Sequence, residues 1–358
     1  MRYAVIVAGG AGTRLWPMSR TGRPKQLLKF IKGRSLLSLA VGRLNGLLDS
    51  TSIYVCTGSS YVDHVLDDLP EMDAAQVLGE PMGRDTANAV GFSAAVLAKR
   101  DPEATMAVLT ADHVIEPMDV FQKALTTAFD AVEKHPELLV TFGITPTHPA
   151  TGYGYVQRGE PMADLPGVHR VIAFKEKPKL EIATEYVASG NYAWNSGMFV
   201  WKAKTVLEQL KQQLPASYEG LMKIAAAWQT PEQDLVLEKI YPTLPKISID
   251  FAVMEKAPAV ATVAMPVKWL DVGSWPSYGE TIAPDADGNR VSDAIALLQE
   301  TQNTLVVSEG EHLVATIGLK DMIIIHTPKA TLVCPANQAE KIKGVVEALQ
   351  KQHGAKYV

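Results

Sequence analysis

Two carboxylates and two cations are the first residues here whose types and spacing suggest chemistry. Asp112 follows the apolar run 106–110, and Asp271 follows the strand-like run 260–269. Each is predicted at the carboxyl end of a strand, where open α/β sheets bind ligands. Brought together from distant segments, the pair would make a metal clamp; taken singly, either reads as well as a loop Asp capping a turn. At the other end of the chain, residues 3–7 form a β-branched run that empties into Ala8-Gly9-Gly10-Ala11-Gly12-Thr13-Arg14-Leu15-Trp16-Pro17. Glycines just after a first strand let backbone N–H groups approach phosphate oxygens closely. Arg14 and the Lys25 of Pro24-Lys25-Gln26 are within reach of a triphosphate cradled there. The alternative is a tight turn flanked by surface cations.

Two known phosphate loops do not fit. A dinucleotide fingerprint starting at Gly10 needs a third glycine where Leu15 stands, and an acid about twenty residues on; the first acid is Asp49. A Walker A loop needs Gly-Lys-Ser/Thr after four residues, which is absent. Net charge is −5 over 358 residues, so nothing draws the whole protein to nucleic acid or membrane. Yet residues 1–48 hold no Asp or Glu and nine cations: Arg2, Arg14, Arg20, Arg23, Lys25, Lys29, Lys32, Arg34 and Arg43. A basic segment on an acidic protein points to a small anionic ligand held locally, or else to a solvated basic face. With 47% hydrophobic and 20% charged residues the chain is not disordered. No apolar run is long enough for a membrane helix, and the N-terminus does not read as a signal peptide. Two cysteines, Cys56 and Cys334, form no framework and no metal spacing, which predicts a reducing, cytoplasmic compartment.

The elements that must position these residues alternate. Strand-like runs at 3–7, 52–57, 76–78, 106–110 and 138–142 are separated by helical patterns at 35–48, 85–100 and 119–134, which predicts an α/β fold with a mixed, mostly parallel sheet. The middle is less regular, with strands expected at 152–157, 167–174, 196–201 and 260–269 and helices near 180–189 and 205–214. A polar break at 283–290 divides residues 1–283 from a tail, 284–358. The tail reads as short strands (304–308, 312–317, 322–327, 331–334) and a final helix at 336–352 with Ile342, Val345, Val346 and Leu349 inward. Periodicity leaves a sandwich, a barrel and a β-helix all open for it.

Residues 8–26, AGGAGTRLWPMSRTGRPKQ, resemble the signature of the sugar-1-phosphate nucleotidylyltransferases, and Trp16-Pro17-Met18-Ser19-Arg20 is similar to the mannose-1-phosphate guanylyltransferase branch in particular. The resemblance continues through GEPMGRDTAN (79–88), LTADHVI (109–115), GITPTHPATGYGYV (143–156), FKEKP (174–178), WNSGMFVW (194–201), SIDFAVMEK (248–256) and WLDVGSW (269–275). It departs from the family at Asp85, where Asn is frequent, at Asn88, where Pro is frequent, and at Thr110-Ala111 before the Asp-His pair.

The resemblance implies a Rossmann-like nucleotidyltransferase domain and, in the tail, a short left-handed β-helix. It implies transfer of GMP from GTP to α-D-mannose 1-phosphate, by in-line attack at the α-phosphorus with loss of pyrophosphate. The nucleophile is already an ionised phosphate, so no general base is needed; the task is to neutralise and orient two polyanions. Mg²⁺ suits that task, and the resemblance makes Asp112 and Asp271 its ligands. Arg14 and Lys25 are assigned to the triphosphate and the transition-state charge, with Gly9, Gly10, Gly12 and Thr13 around the nucleotide. Lys177 matches the family lysine on the sugar phosphate, although its own chemistry reads as a solvent lysine beside Lys175 and Lys179. Glu176 and Asn195 are assigned to sugar hydroxyls, and Gly152 to close backbone approach. Glu80 is a candidate reader of guanine N–H donors, with backbone carbonyls an equal alternative, and Asp85 is placed on the nucleotide side or in a structural pair with Arg84. His113 is expected to make a local hydrogen bond. The tryptophans Trp194, Trp201, Trp269 and Trp275 are expected in the core.

Three rival functions compete with this one. The same chemistry on glucose or heptose phosphates is the nearest. A catalytically silent nucleotide-sugar-binding regulator would be expected to have lost Arg14, Lys25, Asp112 or Asp271, and all four are present. A nicotinamide oxidoreductase falls with the failed glycine pattern. Longer relatives append a phosphomannose isomerase domain, for which this chain has no room, so a single activity is expected. A homodimer through the tail is compatible with the pattern, as is a monomer.

Overall fold

In the computed structural model all residues except Ala11, Phe30 and Lys32 are described, so Ala11 of the glycine loop and Lys32 of the basic segment lie outside the description. The chain forms two compact units. One comprises Met1–Gly9, Ala40–Ala111 and Ile115–Trp269; the other comprises Gly10–Leu39, Asp112–Val114 and Leu270–Val358.

The first unit is built on a nine-stranded sheet in the order Val77–Glu80, Ile53–Gly58, Arg2–Val7, Thr105–Thr110, Tyr192–Lys202, Leu139–Ile144, Val260–Ala264, Val168–Lys175, Tyr155–Pro161. The first four strands are mutually parallel. Beyond them the sheet is mixed, with Tyr192–Lys202 antiparallel to both its neighbours in that order. Strand order reverses around Arg2–Val7, which lies between Ile53–Gly58 and Thr105–Thr110. The two central strands therefore deliver the chain, at their carboxyl ends, to the glycine loop and to Asp112. Both faces of the sheet are covered. Tyr3 and Val5 join one core with Phe92 of the helix Asp85–Arg100, while Ala4 and Ile6 on the opposite pleat are equally inaccessible.

The strand expected over 260–269 is two strands, Val260–Ala264 and Lys268–Asp271. Pro266 falls between them and has no N–H for a ladder. The helix expected over 35–48 is only Leu36–Gly42, after which the chain turns. Helices at Val62–Asp68, Pro215–Ala227 and Gln233–Ile240 were not expected. Trp194, Trp201, Trp269 and Trp275 are all buried.

In the second unit, Arg290–Ser292, Leu305–Ser308 and Met322–Thr327 stack in parallel, and Ala330–Pro335 closes antiparallel on the last. Ile295–Gln299 and Leu313–Ile317 form a second parallel pair. Successive parallel partners lie one coil apart in sequence, Arg290 beside Leu305 and Leu305 beside Ile323, the pattern of a β-helix. This repeat was open from sequence because the strands Arg290–Ser292 and Ile295–Gln299 carry weak patterns. The core here mixes Leu15, Trp16, Met18 and Leu28 from the first forty residues with Leu305, Val307, Ile323, Ile325 and Ile342 from the tail. The terminal helix is Ile342–His353, preceded by a 3-10 stretch. Ile342 is buried, and Val346 and Leu349 pack on the core, but Val345 is exposed, contrary to the inward face expected of it. No helix among the described residues is long and apolar enough to cross a membrane.

Candidate active site

The second unit holds the charged centre. Gly12 ends the loop in a left-handed conformation, φ 61°, and a Cβ there would lie 2.7 Å from Lys25 Cβ and 2.9 Å from Ser19 Oγ. Only glycine lets the loop pass this close to Lys25. Thr13 and Arg14 follow in a short 3-10 helix, and Lys25 begins another. Lys25 Nζ lies 2.7 Å from Asp112 Oδ2 and 4.0 Å from Asp271 Oδ1, with only 12% of its side chain exposed. It also donates to the Val272 carbonyl at 3.4 Å. Ligand atoms of Asp112, His113 and Asp271 lie within 4.8 Å of one another.

The electrostatics follow from this packing. Burial alone would raise the Asp112 carboxyl, but Lys25 and His113 outweigh it and hold that group below its usual range. Asp271 goes the other way, raised by burial and by the neighbouring Asp112 charge. Burial lowers Lys25, yet the two carboxylates prevail and keep it firmly protonated. Asp271 Oδ1 is buried and accepts no hydrogen bond. An orphaned carboxylate oxygen beside a second carboxylate is a donor set that fits a hard divalent cation. Arg14 is half-exposed and paired with Glu340 at 2.9 Å. The loop is further tied down where Trp16 Nε1 donates to the Tyr357 carbonyl at 2.7 Å and Trp275 Nε1 to the Trp16 carbonyl at 2.9 Å. Glu309 pairs with Arg23 and lies 3.9 Å from Arg20.

The first unit holds the residues assigned to the sugar and the base. Asn195 lies in the strand Tyr192–Lys202 and is 7% exposed. Its Oδ1 accepts from Thr141 Oγ1 at 2.8 Å and its Nδ2 donates to Asp250 Oδ1 at 3.0 Å. Glu176 is paired with Lys177, whose backbone has φ 47°. A Cβ on Gly152 would meet nothing within 4 Å, whereas one on Gly154 would lie 2.3 Å from Glu176 Oε2. Gly152 therefore faces open space, and the tight contact within the protein falls at Gly154. Glu80 Oε1 accepts from the Tyr241 hydroxyl. Burial raises the Glu80 carboxyl to about 7, with Asp85 adding to the rise and Tyr241 opposing it. Asp85, φ 65°, opens the helix Asp85–Arg100, and its Oδ1 accepts from the Thr86 N–H at 2.8 Å. Arg84 donates to the Pro242 carbonyl.

The sequence matches the model of the nucleotidyl transferase family over residues 3–288 and that of the mannose-P isomerase/GMP-like β-helix domain over 295–349. A putative mannose-1-phosphate guanylyltransferase of Vibrio cholerae is 37% identical over 100% of this chain and 76% of its own length. A mannose-1-phosphate guanylyltransferase of Escherichia coli is 38% identical over 97% of this chain and 73% of its own. The chain belongs to the mannose-1-phosphate guanylyltransferase family. Among solved structures, a Thermus thermophilus protein described as a mannose-1-phosphate geranyltransferase superposes with a TM-score of 0.87 at 33% identity, over 98% of this chain and 99% of that one. As a member of this family the protein is a nucleotidyltransferase with a β-helix-like C-terminal region.

Several residues that touch the assigned groups carry no signal of that role in the sequence. Asp250 falls inside the SIDFAVMEK block without a role, and Gly154 inside the GITPTHPATGYGYV block. Tyr241 and Thr141 carried no motif at all. His113, expected to bond locally, lies 3.7 Å from Asp112 and completes the cluster.

Proposed function

We propose that the protein transfers GMP from GTP to α-D-mannose 1-phosphate, giving GDP-mannose and pyrophosphate. The observation that carries this reading is the convergence of Lys25, Asp112 and Asp271 on one point, in a chain whose relatives are named for that activity. The sugar phosphate attacks the α-phosphorus in line, and the pyrophosphate leaves opposite. Asp112 and Asp271 would hold Mg²⁺, which when bound neutralises phosphate charge and fixes the triphosphate. Lys25 then turns from the carboxylates to the phosphate oxygens, and Arg14 leaves Glu340 for the same charge. Gly9, Gly10, Gly12 and Thr13 line the nucleotide. With Glu80 Oε1 taken by Tyr241, a guanine N–H would meet Oε2, and Asp85 is assigned to the same nucleotide. Lys177 binds the sugar phosphate, while Glu176, Asn195 and the backbone at Gly152 meet the sugar.

The catalytic domain in this reading is 1–283 and the β-helical tail 284–358, in a cytoplasmic enzyme. A homodimer through the tail is supported by Ile295, Leu297, Leu313 and Ile317, all exposed on one small parallel sheet. The test is pyrophosphate release with Mg²⁺, each NTP and one sugar 1-phosphate at a time. GTP with mannose 1-phosphate should dominate; a dominant signal with thymidine triphosphate and glucose 1-phosphate would overturn the substrate assignment.

A further inference from the structure

Asp250 is the first residue of a π-helical turn, Asp250–Met254, and none of the assignments above uses it. Three elements meet at its partner. Asn195 is on the strand Tyr192–Lys202, Thr141 on the adjacent strand Leu139–Ile144, and Asp250 on the turn. Thr141 Oγ1 can donate only one proton, and both Asn195 Oδ1 at 2.8 Å and the Met198 carbonyl at 3.1 Å are within its reach. The Gly197 N–H also approaches Asn195 Oδ1, at 3.3 Å. A carboxyl acceptor at 3.0 Å fixes the other end of the amide, so the orientation of Asn195 is determined by chemistry at both ends. One Nδ2 hydrogen goes to Asp250, and the second is left aimed by that bond. Glu176 crowds the same place, since its Oε2 would be 2.3 Å from a Cβ on Gly154, and the Asn195 N–H donates to the Gly154 carbonyl at 2.8 Å.

We propose that Asp250 is a positioning residue for the sugar subsite: it locks the Asn195 carboxamide so that its free N–H meets a hydroxyl of a hexose 1-phosphate, and its protonation state tunes that subsite. This rests on the assignment of Asn195 and Glu176 to the sugar. The charged groups facing Asp250 are Glu176 and Lys177. Burial raises the Asp250 carboxyl, the Glu176 charge adds to the rise, and the total carries it to about 7 despite Lys177 and the Asn195 bond. Below that pH the neutral acid keeps its carbonyl oxygen on Asn195 and offers an O–H to its surroundings. Above it, a second anion stands beside Glu176, in a subsite that must admit an anionic substrate.

The test compares wild type, Asp250→Asn and Asp250→Ala by steady-state kinetics from pH 6 to 8.5, varying mannose 1-phosphate and GTP separately. Asp250→Asn keeps an acceptor for Asn195 and cannot ionise. The wild-type KM for mannose 1-phosphate should rise severalfold more across pH 7 than that of Asp250→Asn, which shares only the substrate's own titration. Asp250→Ala should raise that KM about tenfold at every pH, leave the KM for GTP within twofold, and narrow the preference for mannose over glucose 1-phosphate. Thermal melts separate these effects from misfolding, and Asp250→Asn serves where the alanine variant is unstable. Parallel pH profiles for wild type and Asp250→Asn, or equal rises in the KM for both substrates, would overturn the proposal. Absence of turnover by wild type with any hexose 1-phosphate would instead overturn the functional reading, and the proposal with it.

Discussion

The two polar centres of this protein are solved in opposite ways. Around Lys25 the groups are ionisable and already paired with one another, an ammonium against two carboxyl groups, on short 3-10 turns and loop ends. Around Asn195 the groups are fixed by hydrogen bonds from a strand, its neighbour and a buried turn. In the proposed reaction the first arrangement exchanges partners, because polyanions and a cation can replace the internal pairs. The second is built to stay as it is, since an amide held at both ends discriminates between hydroxyl patterns only while it cannot rotate. Charge is handled by substitution and shape by rigidity.

That contrast breaks most severely at Lys25. Lys25→Met leaves Asp112 and Asp271 facing each other without their cation, so it should cost about 3 kcal/mol of stability as well as activity. Denaturant unfolding reads the first and pyrophosphate release the second. Adding Mg²⁺ should restore part of the lost stability to Lys25→Met and much less to wild type, because the ion fills the charge that the variant lacks. Next in size is Thr141→Val, which keeps shape and removes one hydroxyl. It should raise the KM for mannose 1-phosphate about fivefold to tenfold, a loss of about 1 to 1.5 kcal/mol, with kcat for saturated enzyme little changed.

The third prediction separates charge from shape at Glu80. Its folded-state carboxyl is raised to about 7 from an ordinary 4.5. Between those values the folded protein holds a proton that the unfolded chain has released, so unfolding free energy falls as pH rises through this window. The contribution is fully present below about 4.5 and lost above about 7. Glu80→Gln cannot ionise, so relative to wild type it should gain up to about 3 kcal/mol between pH 4.5 and 8. Urea midpoints at a series of pH values measure the difference, in which the parallel titration of Asp250 cancels.

Much of the charged centre was legible because its residues come directly after patterned elements. The strands Arg2–Val7 and Thr105–Thr110 are β-branched and apolar, so the glycine loop and Asp112, next along the chain, necessarily sit at strand ends. The residues that orient others were not legible. Thr141 is one of many threonines in strands, and its hydroxyl matters only because Asn195, 54 residues further along, arrives beside it, with Asp250 another 55 residues on at the other end of the amide. Tyr241 and Glu80 are separated by 161 residues, and no local spacing encodes their bond. The sequence break at 283–290 likewise says nothing of Leu15, Trp16, Met18 and Leu28 sharing a core with Leu305 and Ile342, since that grouping joins segments distant in the chain. The crowding at Gly154 is equally silent, since sequence cannot tell an open glycine from a crowded one.

In the proposed reaction Asp112 and Asp271 together hold a divalent cation in exchange for Lys25. Titration of Mn²⁺ into the protein with GTP, followed by electron paramagnetic resonance, measures it directly in wild type and in Asp112→Asn and Asp271→Asn. Mn²⁺ should bind wild type, and bind each variant at least tenfold more weakly, with kcat reduced about a hundredfold. Mn²⁺ held as tightly by Asp271→Asn as by wild type would contradict it.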